Sequence, residues 1–195
     1  MAESPLTRPS LLVRIRDARD GEAWSQFVTL YAPLIYGHAR KHRLQDADAA
    51  DLTQNVLRAV AGAVHRLDYD PRRGSFRGWL FTIVRNKLRN LVATRGREIQ
   101  GSGDTAATDL LEQRTAPEEE QWEADYQRQL LARAVERIRS EFQEKTWRAF
   151  RQTAVEGQSG KEVAANLGTS VAAVYLAKGR VLARLKEEIE QVRDD

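Results

Sequence analysis

His38 and His42 stand four residues apart in a stretch of helical period, the spacing at which two imidazoles on one helix face can share a metal ion. No carboxylate or third ligand follows at matched spacing. Arg40, Lys41 and Arg43 surround the pair with positive charge that repels a cation. The two therefore read as surface or boundary histidines on a basic helix end. The chain has no cysteine, which removes thiolate metal sites and disulfides together. No phosphate-binding glycine loop, nucleophile elbow or carboxylate-rich active-site pattern is present. The expectation is a protein with no metal, no cofactor and no catalytic centre.

The chemistry that remains is binding. Between Arg66 and Arg97 there are nine basic residues against two acidic ones, Asp68 and Asp70. Between Gly101 and Tyr126 the balance reverses to eight acidic residues and one basic, Arg114. The formal net charge of +3 hides this split. A basic block followed by an acidic segment suits a polyanion-binding surface beside a segment that must stay off it. Ordinary solvated helix faces would give the same charges.

A second binding pattern lies near the C-terminus. Ser159-Gly160-Lys161-Glu162 is a capping box that opens a helix through Val163, Ala164, Ala165 and Leu167. Gly168 follows, where a left-handed residue ends a helix and turns the chain. Thr169-Ser170 then caps another helix carrying Val171, Val174, Ala177, Val181 and Leu185. The small Ala164 permits a close crossing, with Leu167 and Val174 filling the angle. The arrangement is that of a helix-turn-helix, whose second helix enters the major groove; a plain helical hairpin would need neither the small residue nor the short turn. With Val174 and Val181 turned inward, Ala172, Leu176, Gly179 and Arg180 face outward and Ser170 and Lys178 lie nearer the flanks. Small and apolar outward residues suit close approach and thymine methyl contact, and Arg180 suits phosphate or guanine. Tyr175 reads equally well as a packed boundary residue.

The elements that must hold these residues are all helical; no alternating strand pattern occurs. Asp20 caps a helix with Trp24, Phe27, Val28, Tyr31 and Ile35 on one face, bent at Pro33. A second helix starts near Asp46 or Asp48 and runs through Leu52, Val56, Val60 and Val64. After the turn-rich stretch Asp68 to Ser75, a third carries Phe76, Trp79, Leu80, Ile83, Val84, Leu88 and Leu91. A short helix is placed around Leu11 to Ala18. The reading is all-α: a first domain over residues 10–95, an acidic flexible linker over 96–116 with Gly-Ser-Gly at 101–103, and a second helical domain over 117–192. The second domain opens on Thr115, Pro117 and Glu118, continues through Leu130, Leu131, Ala134, Val135 and Ile138, and then through a helix from Phe142 to Val155 that stops at Gly157.

Taken together, these segments resemble a known family. Asp51-Leu52-Thr53-Gln54-Asn55-Val56, followed by Phe76-Arg77-Gly78-Trp79-Leu80 and Ile83-Val84-Arg85-Asn86, resembles the second domain of bacterial sigma factors. Glu156 to Ala164 with Leu167-Gly168-Thr169-Ser170 and Val174 resembles their fourth domain. With only a linker between, the pattern is similar to the extracytoplasmic-function (ECF) type over about residues 20–190.

The resemblance implies binding to core RNA polymerase through Asp48, Asp51, Gln54, Asn55 and Arg58, a face that docks on the clamp-helix coiled coil of the largest subunit. It implies capture of unstacked bases of the minus-ten element by the loop from Arg66 to Phe76 and by Asn86. Tyr69, Arg72, Arg73 and Phe76 are types that stack bases and neutralise phosphates. Arg77, Arg85, Lys87, Arg89 and Arg95 would track the backbone. Phe76, Trp79 and Leu80 also read as core. The minus-thirty-five element would fall to Ser170, Ala172, Ala173, Leu176, Lys178, Gly179 and Arg180. Asn55 stands where the family commonly has an acidic residue, and Tyr175 and Ala177 stand where it often has basic ones. Family linkers run through the polymerase toward the RNA exit path, and an anti-sigma protein is a further implied partner.

The function expected is promoter recognition and transcription initiation, in the cytoplasm and without membrane insertion. The start of the chain is charged throughout and lacks a signal-peptide run, and no apolar stretch of membrane-spanning length occurs. Two other classes fit parts of the pattern. A stand-alone helix-turn-helix regulator would need no polymerase-docking strip. A DNA-processing enzyme such as a recombinase would need a nucleophile and a metal or arginine cluster, which are not found.

Overall fold

In the computed structural model the backbone is described for residues 9–66, 75–99 and 115–194, and the side chains for 11–66, 75–94 and 117–190. All regular structure among the described residues is helical, and the chain divides into two compact units, Met1–Gln127 and Arg128–Asp195.

Unit 1 is built from α1 (Pro9–Arg14), α2 (Gly21–Lys41), α3 (Asp46–Ala63) and α4 (Phe76–Ile99). The Asp20 carboxylate accepts from the Ala23 amide at 2.9 Å and caps α2, and the Arg14 guanidinium holds it from the other side at 2.8 Å. That guanidinium keeps the Asp20 carboxyl below its usual range. Pro33 lies inside α2 without ending it. Phe27, Tyr31 and Ile35 of α2 are buried with Leu30 and Leu34, whereas Val28 is 37% exposed and Trp24 half-buried. The apolar stripe is thus rotated from the expected one, because Leu30 and Leu34 share it. Ala49, Leu52, Val56 and Val60 of α3 and Phe76, Leu80, Val84 and Leu88 of α4 complete the core. The sequence ends this domain near Arg95, but α4 runs on to Ile99.

A fifth helix, α5 (Thr115–Ile138), is divided between the units. The sequence assigns it whole to the second domain from residue 117. Its residues up to Gln127 instead belong to unit 1, where Trp122 and Tyr126 are buried. The reason is chemical: that part of α5 carries aromatic side chains that fit gaps between α2 and α4. Trp122 meets the His38 and Phe81 rings at 5.5 and 5.7 Å, and Tyr126 stacks on Tyr31 at 5.9 Å. The rest of the expected linker, residues 100–114, lies outside the described residues.

Unit 2 holds the remainder of α5, then α6 (Glu144–Phe150), α7 (Gly160–Leu167) and α8 (Val171–Asp194). The expected helix from Phe142 to Val155 is shorter and changes character: α6 ends at Phe150 and gives way to a wider π-helical turn over Arg151–Val155. There the Glu156 amide reaches back to the Arg151 carbonyl at 3.0 Å, and the Thr153 hydroxyl donates to the Ala149 carbonyl at 2.7 Å. One apolar cluster joins Ala134, Ile138, Trp147, Phe150, Val181 and Leu185, and a second joins Ala149, Val163, Ala164 and Val174. Burying a large apolar side chain contributes roughly 1.5–3 kcal/mol, and the second cluster, which joins Val163 and Ala164 of α7 to Val174 of α8, sets how these two helices cross.

Candidate nucleic-acid interface

In unit 2 the local chemistry of the turn is complete. The Ser159 hydroxyl accepts from the Glu162 amide, and the Glu162 carboxylate accepts from the Ser159 amide at 3.0 Å, a reciprocal capping box. Those hydrogen bonds favour the ionised carboxylate and hold its pKa below the usual range. Gly168 adopts φ +57° at the end of α7, the left-handed conformation that a side chain would strain. The Lys145 ammonium of α6 donates to its carbonyl at 3.3 Å, tying α6 to the turn. The Ser170 hydroxyl then accepts from the Ala173 amide at 3.1 Å and opens α8. Val174 and Val181 are fully buried, so the first turns of α8 are held by their inner face.

Outward from that face, Ser170, Ala172, Ala173, Leu176, Gly179 and Arg180 are exposed and Lys178 is half-buried. Ala172, Leu176, Gly179 and Arg180 thus share the side of α8 opposite Val174 and Val181, whereas Lys178 lies beside the inner face and Ser170 precedes the helix. Tyr175, which the sequence leaves open between a DNA-facing and a packed boundary position, is 56% exposed. It is in fact both, since its ring lies against Gly160.

In unit 1, α3 presents Asp51, Gln54, Asn55 and Arg58 to solvent with Asp48 half-buried beside them, opposite the buried Leu52, Val56 and Val60. The Arg58 guanidinium donates to Gln54 Oε1 at 3.1 Å and to Asn55 Oδ1 at 3.2 Å, so three of these residues form a hydrogen-bonded polar strip. On α4, Asn86 and Lys87 are exposed, and Arg85 and Arg89 half-buried. Arg66 is exposed at the end of the short 3-10 turn Val64–Arg66. Tyr69, Arg72 and Arg73 lie outside the described residues, as does the Arg95 side chain.

Two expected DNA contacts are placed elsewhere. Phe76 is buried edge-on against Phe27 and Tyr31, with ring centroids 5.9 and 5.8 Å away, and has no free face for a base. Arg77 is 2% exposed. Its guanidinium donates to both carboxylate oxygens of Glu123 at 2.7 and 3.0 Å and covers the Tyr126 ring at 4.6 Å. Burial opposes the charge of Arg77, but the Glu123 carboxylate more than offsets it, and the guanidinium pKa is raised. The same packing corrects the reading of the histidines. His38 is buried between Phe81 and Trp122, not at the surface, while His42 is half-buried. Desolvation, then the nearby His42, pulls the His38 pKa down to about 4, so this imidazole is neutral near pH 7. Among the described residues no group of three or more histidine, aspartate or glutamate side chains is gathered as a metal site. The signal that sequence reading misses is in Trp122, Glu123, Asp125 and Tyr126. Trp122 stands three and four residues before Asp125 and Tyr126 in an acidic stretch, and the Lys41 ammonium meets Asp125 at 2.7 Å.

The model of the family described as Sigma-70 region 2 matches residues 27–98, from within α2 to near the end of α4. The chain is 31% identical to the RNA polymerase sigma factor CnrH of Cupriavidus metallidurans over 170 residues, which covers 84% of each protein. It is 33% identical over 78 residues to the ECF RNA polymerase sigma factor RpoE of Cereibacter sphaeroides, covering 40% of this chain and 42% of that relative. Among solved structures, one of CnrH in complex with the cytosolic domain of CnrY aligns over 93% of this chain and 96% of its own at 26% identity, with a TM-score of 0.36. The chain belongs to the RNA polymerase sigma factors of the ECF type. Sigma factors are transcription initiation factors, and no helix among the described residues is long and apolar enough to cross a membrane.

Proposed function

We propose that this chain binds core RNA polymerase and directs initiation at promoters that it reads in two places. The observation that carries the reading is the exposed side of α8 from Ser170 to Arg180, held by a capped, left-handed turn against α7. A helix fixed by its inner valines and open outward is what major-groove entry requires. The upstream element falls to Ser170, Ala172, Ala173, Leu176, Lys178, Gly179 and Arg180. The polymerase-docking strip is Asp48, Asp51, Gln54, Asn55 and Arg58. Its hydrogen-bonded amides and guanidinium present fixed donors and acceptors to a partner helix. The minus-ten element falls to Arg66, Asn86, Arg85 and Arg89, with Tyr69, Arg72 and Arg73, which lie outside the described residues. Melting would come from binding energy: bases held on the protein offset the stacking they lose. Residues 10–95 then act as sigma domain two and 117–192 as sigma domain four, although the latter's first turns pack with the former. The protein works in the cytoplasm and does no covalent chemistry of its own.

A further partner is an anti-sigma protein. An apolar groove of about 490 Å3 in unit 2, lined by Leu131, Val135, Val155, Leu182 and Leu185, offers it a surface. Val155 there is 71% exposed and Leu131 44%.

The deciding experiment is run-off transcription with purified core enzyme and a randomised promoter library. Specific starts that require this chain are expected. A chain that footprints duplex DNA yet neither binds core enzyme nor initiates would be a stand-alone regulator.

A further inference from the structure

The readout chemistry of α8 can be taken further, on the reading just given that this helix enters the major groove. Across its first turns the outward side chains are Val171, Ala172, Tyr175 and Leu176, followed by Gly179. Val171 is 41% exposed, Tyr175 56% and Leu176 62%. None is an arginine, asparagine or glutamine, the types that bond bidentately to guanine or adenine. The Ser170 hydroxyl is already engaged in capping the helix. Lys178 and Arg180 begin only on the following turn. The one apolar group that base edges offer in the major groove is the thymine C5-methyl.

Charge around the stripe suits DNA over a protein partner. Leu176 and Arg180 line a groove of about 330 Å3 together with Lys145 and Thr146 of α6. Lys161 is exposed on the first turn of α7. Glu162 is exposed beside Lys161, so the positive edge of the apolar centre is the one carrying Lys145 and Arg180, which matches base methyls flanked by phosphates.

Tyr175 is not loose on this surface. A Cβ placed on Gly160 would fall 2.8 Å from Cε2 and Cζ of the Tyr175 ring and 2.9 Å from its hydroxyl. The ring therefore lies directly on the backbone of the first turn of α7. Gly160 is not in the left-handed region, and the helix is already capped by Ser159, so backbone geometry does not require glycine there. What a side chain there would displace is the Tyr175 ring. An aromatic side chain fixed before binding loses little freedom on contact.

We propose that α8 reads the upstream element by apolar contact with thymine methyl groups, through Leu176 and a Tyr175 ring seated by Gly160. Leu176 and Tyr175 are the specificity-determining residues, and Gly160 is a positioning residue acting through Tyr175. The preferred element carries thymine at adjacent positions facing these two side chains.

The test uses the full chain with core polymerase. Upstream elements are selected from randomised duplex DNA, and each selected thymidine is then replaced singly by deoxyuridine, which removes one methyl and leaves base pairing intact. Roughly fourfold weaker binding per contacted methyl is expected. Leu176→Ala should abolish the sensitivity at one position and Tyr175→Ala at its neighbour, while Tyr175→Phe keeps it. Gly160→Ala, which displaces the ring but favours helix, should reproduce the loss seen with Tyr175→Ala while thermal melting shows the fold retained. Specific initiation with no response to any deoxyuridine, or an equal response in Leu176→Ala, overturns methyl readout and leaves the sigma-factor reading standing. Failure to bind core enzyme or initiate at all overturns both.

Discussion

Arg77 and Glu123 show how one residue pair can redirect a reading. An arginine in a basic block is expected to meet phosphate, yet this one is sealed under Tyr126 and held by a two-point carboxylate contact. Removing the carboxylate strands a buried cation, whereas removing the cation leaves a partly exposed acid that water can serve. Glu123→Ala should therefore destabilise unit 1 by about 3 kcal/mol, and Arg77→Met by clearly less, as read from urea denaturation. Equal costs would mean that burial, not charge, sets the energetics. His38 makes a second residue-scale case. Its pKa of about 4 in the folded chain lies below the ordinary 6.5, so between those values the unfolded chain takes up the extra proton. The stabilisation is complete above about pH 6.5 and is lost as pH falls toward 4, at up to about 1.4 kcal/mol per pH unit. His38→Leu should flatten that part of the stability–pH curve; parallel curves for the two proteins would refute the assignment.

At the scale of elements, the capping box and the left-handed glycine decide whether α7 presents α8 correctly. Ser159→Ala removes an acceptor for a helix-end amide and also the group that orders Glu162. A loss of about 1 kcal/mol is expected in thermal or urea unfolding of unit 2. Gly168→Ala places a side chain at φ +57° and should cost about 1–2 kcal/mol, with Gly168→Asn recovering part of it. Both variants should weaken upstream DNA binding only as far as they loosen the turn. Much of this is legible in the sequence, because caps and turn glycines act over three or four residues. The π-helical turn after Phe150 is not. Nothing local in Arg151 to Val155 requires five-residue spacing, and helical period reads straight through it.

For the molecule as a whole, the sigma-factor reading divides the work between two units, and variants should separate it. Arg180→Ala should weaken binding to upstream duplex by roughly 1–3 kcal/mol and lower the slope of log affinity against log salt by about one, if the guanidinium meets a base edge and a phosphate. An unchanged footprint and slope would remove Arg180 from the interface. Asn86→Ala, at an exposed position of α4, should leave duplex binding intact but reduce permanganate reactivity of the opened strand. Loss of both together would place Asn86 in folding or docking.

The amino-acid sequence determined what depends on neighbours along the chain: the helical content, the caps, the turn glycine, and which valines of α8 face inward. It also determined the two segments that carry the family resemblance, since those are patterns of type and spacing. Tertiary structure alone decided where the first half of α5 belongs. Trp122, Glu123 and Tyr126 stand in a run of acidic residues that reads as a solvated helix start, and their partners His38, Arg77 and Tyr31 lie far off in sequence. Periodicity records that a face is apolar but not which surface it meets. The same limit kept His38 at the surface, Arg77 on DNA, and Tyr175 undecided until Gly160 was found beneath its ring.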